Sequence, residues 1–356
     1  MSRKSLTIGA LVVAVVIAVG YFLLRPSEPH GPDALALPEG VDQIHVDKLG
    51  RIHVIEAKRG SSARPTVAIY NLLSHPILNA SADGIKAGLA KGGYGEGRVR
   101  LIELNANGEM DKLNAFAIEL LAVDPDVIIP ISTPVTQAVF KEASADQLIV
   151  FSTVTNPSDV GMDDRPDNMT GVCDAVNYQA NFDLIFELFP ATKTIGIIYN
   201  AGERNSQFGV DRFRKLARSR SIDLKLLTVS KSIEVVDAAR ALAENVDVLY
   251  VGSDNTVVAA MAGLTKVAYD AGTPVIASDS GSVEGGALAA VSVDYRALGN
   301  RTGRIVAEVL KSGRLPEDRS PVIFHGDVLL LNDKAAGQLG FTFPQATRKR
   351  AKRVIR

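Results

Sequence analysis

The sequence predicts an α/β protein built as two similar lobes, and two observations carry that reading. From Thr66 onward, short β-branched runs alternate with segments of helical spacing, the rhythm of parallel sheets covered by helices. The rhythm also repeats. "TVAIYN" and "TIGIIYN" close on the same tripeptide. "DVIIPISTPVTQAV" from Asp126 matches "DVLYVGSDNTVVAA" from Asp247, and "LIVFSTVTNP" matches "TPVIASDSGS". Three matching strand ends in the same order point to two Rossmann-like lobes with parallel sheets. The length of 356 residues suits about two domains.

Leu6 to Leu24 is a 19-residue run without charge, preceded by Arg3 and Lys4. At about 1.5 Å per residue it is long enough for the hydrocarbon core, and the preceding cations keep the N-terminus cytoplasmic. A secretory core is usually about 7–15 residues, so the run reads as an uncleaved transmembrane anchor rather than a cleaved signal helix. Residues 1–25 are therefore the membrane segment, and the body is exported. Residues 26–64 hold a linker with Pro26, Pro29, Pro32 and Pro38, then "QIHVDKLGRIHVIEA". A three-residue turn at Lys48, Leu49 and Gly50 sets Val46 opposite Ile52, His45 opposite His53 and Ile44 opposite Val54, which predicts a β-hairpin. The last eleven residues carry six cations and no acid, and read as a solvated, frayed basic tail, 346–356.

Net charge is −1; with +3 in the first 25 residues and +6 in the last eleven, residues 26–345 carry −10. An acidic body argues against nucleic-acid binding. Cys173 is the lone cysteine, so neither an internal disulfide nor a thiolate metal site can form. There is no P-loop, no nucleophile elbow and no nucleophile with an evident base beside it. "GGYGEG" follows a helix and reads as a helix stop. The expected position is no enzyme, no cofactor and no metal.

In open parallel sheets, ligands bind beyond the carboxyl ends of the strands. Small polar groups gather there. Ser132 and Thr133 precede Pro134, a favoured first helical residue, and free amides at such a start attract a carboxylate. Asp254 holds the matching place in the second lobe. Each alone reads as a helix cap; together they suit a zwitterion, with its carboxylate near Ser132, Thr133 and Thr136 and its ammonium on Asp254. Asp254 is accordingly the expected dominant binding residue. Tyr70, Tyr199, Phe151 and Tyr295 are candidates to stack on a ring.

"SHPILNASADGIKAGLAKGGYGEG", "ISTPVTQA", "VTNPSDVG", "IIYNAGERNS", "DNTVVAA" and "ASDSGSVEGGALAAVSVDYRALGNRTG" resemble the substrate-binding proteins of ABC transporters, type 1 periplasmic binding fold, in the family with tryptophan- and tyrosine-binding members. The resemblance spans about residues 65–342. It implies a three-strand hinge, with lobe 1 as 65–173 plus 295–320 and lobe 2 as 174–294 plus 321–345. It implies crossings near Gly171–Asp174, Asp294–Tyr295 and Pro321–Phe324. The implied ligand set is Ser74, His75, Thr133, Thr155, Asn205, Ser206, Asp254, Asn255, Asp279 and Ser282. The implied partners are a small-molecule ligand, probed first as an aromatic or hydrophobic amino acid, and the permease and ATPase subunits of an ABC transporter. The location is periplasmic, with the N-terminal helix in the inner membrane. A membrane-tethered sensor for a signalling partner would use the same cleft. Asn79, Asn156 and Ala201 depart from the family's usual acid, Asp and Pro. The chain has no Trp, which leans away from a sugar ligand.

Overall fold

Two parallel sheets, each wrapped by helices, form the body in the computed structural model, which describes residues 41–46, 52–56, 64–164 and 166–356. The proposed anchor, the linker and the hairpin turn lie outside the described residues. The chain runs β1 (Val41–Val46), β2 (Ile52–Glu56), β3 (Thr66–Asn71), α1 (Pro76–Lys91), β4 (Arg100–Asn105), α2 (Leu113–Leu121), β5 (Val127–Ile131), α3 (Thr133–Glu142), β6 (Ile149–Val154) and β7 (Met169–Ala175) through lobe 1. It crosses to lobe 2 for α4 (Tyr178–Leu188), β8 (Thr194–Tyr199), α5 (Arg204–Ser219), β9 (Asp223–Thr228), α6 (Val235–Ala243), β10 (Val248–Val251), α7 (Asn255–Val258), α8 (Met261–Asp270), β11 (Val275–Ala277), α9 (Ser280–Glu284) and β12 (Ala289–Ser292). It returns for α10 (Tyr295–Ser312) and β13 (Val322–His325), then ends in lobe 2 with β14 (Val328–Asn332), α11 (Asp333–Gln338), α12 (Gln345–Arg350) and β15 (Arg353–Ile355).

The repeat read from the sequence is a repeat of topology. Lobe 1 is ordered β7-β6-β5-β3-β4 and lobe 2 β12-β11-β10-β8-β9, so each strand has a counterpart at the same place. The paired Asp-Val openings have a shared use. Asp126 Oδ2 accepts from the Thr66 N–H at 2.7 Å, and Asp247 Oδ2 accepts from the Thr194 N–H at 2.8 Å. One carboxylate ties the start of β5 to that of β3, the other the start of β10 to that of β8. The central strands β3, β5 and β6 are buried along their whole length, as strands covered on both faces must be. In lobe 2 alternate residues supply two cores: Ile197 and Tyr250 face one helical layer, Ile198, Leu249 and Val251 the other.

The hairpin has the register read from the sequence, with Val46 paired to Ile52, His45 to His53 and Ile44 to Val54. It is not separate from the lobes, however. β1 runs parallel to β4, so the hairpin completes the edge of the lobe 1 sheet, where open backbone groups would otherwise be exposed.

Two expectations change. Two of the three hinge crossings fall late: β7 continues to Ala175, and β13 pairs with β7 in lobe 1 before the chain leaves at His325, while the second spans Ser292 to Tyr295, around the expected place. Strand pairing, which the local sequence does not display, holds these residues in lobe 1. The basic tail is ordered. β15 pairs with β14, and Arg348, Arg350 and Arg353 reach Asp333, Glu187 and Glu284. The cations of the tail are matched by acids of lobe 2, so the end is part of that lobe.

Lobe 1 is closed by a helix pair with almost no side chain between its axes. Gly84 and Gly88 on α1 and its C-cap Gly92 recur every four residues, as do Gly299, Gly303 and Ala307 on α10, which puts each set on one face. A Cβ at Gly299 would lie 2.0 Å from Ser81 O, and one at Gly88 2.3 Å from Asn300 O. Both neighbours are backbone and cannot turn aside. Beneath the pair, buried Ser81, Ser152 and Thr302 hydroxyls form a chain with 3.0 Å links, and Thr302 donates to Leu298 O. Overpacking costs about 1–3 kcal/mol, set against a helix-propensity gain of about 1 kcal/mol for Gly→Ala. Gly299→Ala is therefore expected to lower the melting temperature clearly. Gly337→Ala, with nothing within 4 Å of the added methyl, should leave it unchanged or slightly raised. Equal melting curves for the two variants would contradict the close approach.

Candidate functional site

The strand ends of the two lobes face each other across one narrow cavity, lined mostly by polar residues, with about 30 Å³ open to a water-sized sphere. Lobe 1 contributes Ser132, Thr133, Thr153 and Thr155, with Ile77 and Leu78 from the start of α1. Lobe 2 contributes Asn205, Ser253, Asp254, Asn255, Val258 and Asp279. Asp174 and Tyr295 enter from the hinge. The lining contains several carboxylates and no Lys, Arg or His.

Two lining residues hold backbone conformations that side chains disfavour. Ser132 has φ 96° and ψ 157°, a region used almost only by glycine, and Thr153 has φ 57° although it is β-branched. Thr153 sits where the pairing of β6 with β7 slips, and its hydroxyl donates to Ser81 Oγ at 3.1 Å. The buried hydroxyl chain under the glycine helices thus holds one wall of the cavity in its strained form. Ser132 is the N-cap residue of α3, yet no side chain caps that helix, and the buried Ser132 Oγ has no hydrogen-bond partner. Pro134 adds no N–H. The helix start is left open to an anion.

Lobe 2 treats the equivalent helix start in the opposite way. Glu203, 1% exposed, accepts from the N–H groups of Asn255 and Thr256 and from both their side chains. Asp254 Oδ1 accepts from the Val257 N–H at 2.8 Å, and its Oδ2 accepts from the Asn200 N–H and the Ser206 hydroxyl, each at 2.6 Å. The start of α7 is closed to a ligand carboxylate. Burial, helped by neighbouring Glu203, still raises the Asp254 carboxyl to about 7. The sequence aligned Asp254 with Thr133; as N-caps, its structural counterpart is Ser132.

Asp174 was not singled out as a ligand residue in the sequence, because it sits in "TGVCDAV" as an acid on a hinge strand. It is 3% exposed, its Oδ2 accepts from the Tyr295 hydroxyl at 3.0 Å, and its Oδ1 has no partner. Burial pushes its carboxyl up to about 7; the Tyr295 hydroxyl, the Asp174 backbone N–H and the nearby Thr155 hydroxyl oppose this, and Asp279 adds to it. Both oxygens of Asp279 are engaged by Ser282, Oδ1 by its N–H at 2.8 Å and Oδ2 by its hydroxyl at 2.6 Å.

Of the expected site residues, Ser132, Thr133, Thr155, Asn205, Asp254, Asn255 and Asp279 meet at the cavity. Thr136, Ser206 and Ser282 stand behind it, donating to Ser132 O, Asp254 and Asp279. Ser74 lies elsewhere in lobe 1, exposed and accepting from Asn105. His75 is buried against lobe 2 beside Gly281. Among the stacking candidates only Tyr295 lines the cavity. Tyr70 and Phe151 are core residues of lobe 1, and Tyr199 packs on the core of lobe 2.

A curated relative, the tyrosine-binding protein of Clostridioides difficile, is 33% identical over 283 residues, 76% of this chain and 82% of that protein. A conserved domain protein from Vibrio cholerae has a TM-score of 0.78 at 32% identity, covering 82% of this chain and all of that one. An ABC domain from Streptococcus pneumoniae in complex with L-Trp has a TM-score of 0.77 at 28% identity over the same shares. A ligand-free, open substrate-binding protein with adhesive properties from Clostridium difficile reaches 0.61 at 30% identity, over 82% of this chain and 99% of that one. With its two-lobed α/β fold, its polar interlobe cavity and a family match over residues 66–355, the chain belongs to the ABC transporter substrate-binding proteins.

Proposed function

We propose that this protein captures an L-amino acid with an aromatic or hydrophobic side chain between its lobes and delivers it to an ABC permease. The observation that carries the reading is the pairing of an open helix start with a buried, unpartnered carboxylate oxygen across one cavity. The ligand carboxylate takes the start of α3, with Ser132, Thr133 and Thr155. The ammonium takes Asp174 Oδ1, with Asp279 beside it. Ile77, Leu78, Val258 and Tyr295 take the side chain. The tyrosine- and tryptophan-binding relatives support this ligand class. The expected role of Asp254 changes to that of a tie between the loop after β8 and α7, since both its oxygens are already engaged.

Calorimetric titration with L-tyrosine and L-tryptophan tests the reading. Losing one partner of a desolvated charge pair costs about 2–5 kcal/mol, and 2 kcal/mol is about thirtyfold. Asp174→Asn should therefore weaken binding at least thirtyfold. The pH sign follows from the raised carboxyl. An ammonium binds the ionised form, so affinity falls as pH drops below about 7 and levels off above it. In the unliganded protein the same raised carboxyl contributes stability below its unfolded value near 4 that is lost as pH rises through 7. The ligand-induced rise in melting temperature should accordingly grow across that window. Normal affinity in Asp174→Asn would point to a ligand without a cationic group.

We further propose that the Leu6–Leu24 run anchors the exported body to the cytoplasmic membrane, on the strength of its length and of Arg3 and Lys4 before it. After osmotic shock the protein should stay with the membrane fraction and be open to protease from outside. A mature N-terminus at Tyr21 or Leu37 would overturn the anchor.

A further inference from the structure

Through His75, lobe 1 touches the backbone of lobe 2. It stands at the N-cap of α1 with extended backbone, φ −132° and ψ 144°, but its side chain makes no capping bond. Pro76 fixes the turn that follows. The imidazole is 6% exposed and lies on Gly281, the second residue of α9. A Cβ at Gly281 would fall 2.6 Å from His75 Cε1 and 3.2 Å from its Nδ1, so any side chain there meets the ring. Gly281 has no positive φ, and its own lobe does not require glycine for conformation. The space above it is used by the other lobe.

We propose that His75 seated on Gly281 is a latch that permits full lobe closure while its ring is neutral and loosens it when the ring is protonated. This rests on reading the chain as a binding protein whose lobes close, and it adds how closure is set. His75 Nδ1 is buried without a partner. The charged groups that act on the ring are Asp279 and Glu284, both on the lobe 2 side, and no cation acts on it. Burial outweighs these two carboxylates and holds the imidazole below its ordinary value, so the closed form keeps it neutral. Opening returns the ring to water, where protonation near pH 6.5 is ordinary. Acid therefore favours the open form. The Asp174 and Asp254 carboxyls, raised by burial, act in the other direction, since they close more readily when protonated. The His75 contribution is thus the difference between the acid responses with and without the imidazole.

Fluorophores on Ile118→Cys in lobe 1 and Ile233→Cys in lobe 2, at 53% and 82% exposure, read the lobe separation without any ligand, and native Cys173 is buried. Gly281→Ala should shift the transfer efficiency to the open value and weaken L-tyrosine about tenfold or more. Adding His75→Ala should restore much of both, which a folding defect at Gly281 would not allow. Lowering the pH from about 7.5 to about 5.5 should close His75→Gln more than the wild type, because the acid closure that Asp174 and Asp254 drive is opposed only where the imidazole is present. Wild-type separation in Gly281→Ala, no rescue by His75→Ala, or the same acid response in the wild type and His75→Gln would each overturn the latch. If neither L-tyrosine nor L-tryptophan binds the wild type, the ligand class is wrong, and the ligand-free separations still decide the latch.

Discussion

A carboxylate enclosed between two lobes with no cation beside it is the constraint on which the account depends. Asp174 is buried, has one oxygen without a partner, and shares its cavity with Asp254 and Asp279 but with no Lys or Arg. Removing such a group from water costs several kcal/mol unless a counter-charge replaces the lost hydration. The protonated carboxyl is one answer, and its rise to about 7 expresses that. A ligand ammonium is the other. The open start of α3 poses the complementary demand, for an anion. A small zwitterion meets both.

That arrangement is held by backbone packing. The glycine faces of α1 and α10 let the two helices touch, and the hydroxyl chain below them reaches Thr153, strained at φ 57°. Such a conformation persists where its surroundings over-determine it. Lobe 1 therefore presents a stiff wall. Lobe 2 answers with loops tied by carboxylates: Glu203 and Asp254 consume the donors of their own helix start and link it to the loop after β8. The two halves share a topology and differ in what they leave unsatisfied, and that difference gives the cavity its polarity.

The fold was legible because its signals are local or repeated. The hairpin register follows from matched residues around one glycine. The twin topology follows from strand ends in the same order, and the shared Asp-Val openings turn out to be one hydrogen bond made twice. The site was legible as a set of strand ends, not as a set of roles. Nothing near Asp254 in sequence shows that Asn200 and Ser206, about fifty residues earlier, already satisfy it. Asp174 read as an ordinary strand acid because its importance arises only when Tyr295, 121 residues later, and the opposite lobe surround it. Long-range contacts decide which carboxylate is free.

The crystal structure of the complex with L-tyrosine tests the central claim most directly. The account predicts the ligand ammonium within hydrogen-bonding distance of Asp174 Oδ1 and its carboxylate at Ser132 and Thr133. The hydrogen bonds of Asp254 to Asn200, Ser206 and Val257 should be unchanged. An ammonium seated on Asp254 after those bonds break, or a ligand that leaves Asp174 Oδ1 without a partner, would contradict it.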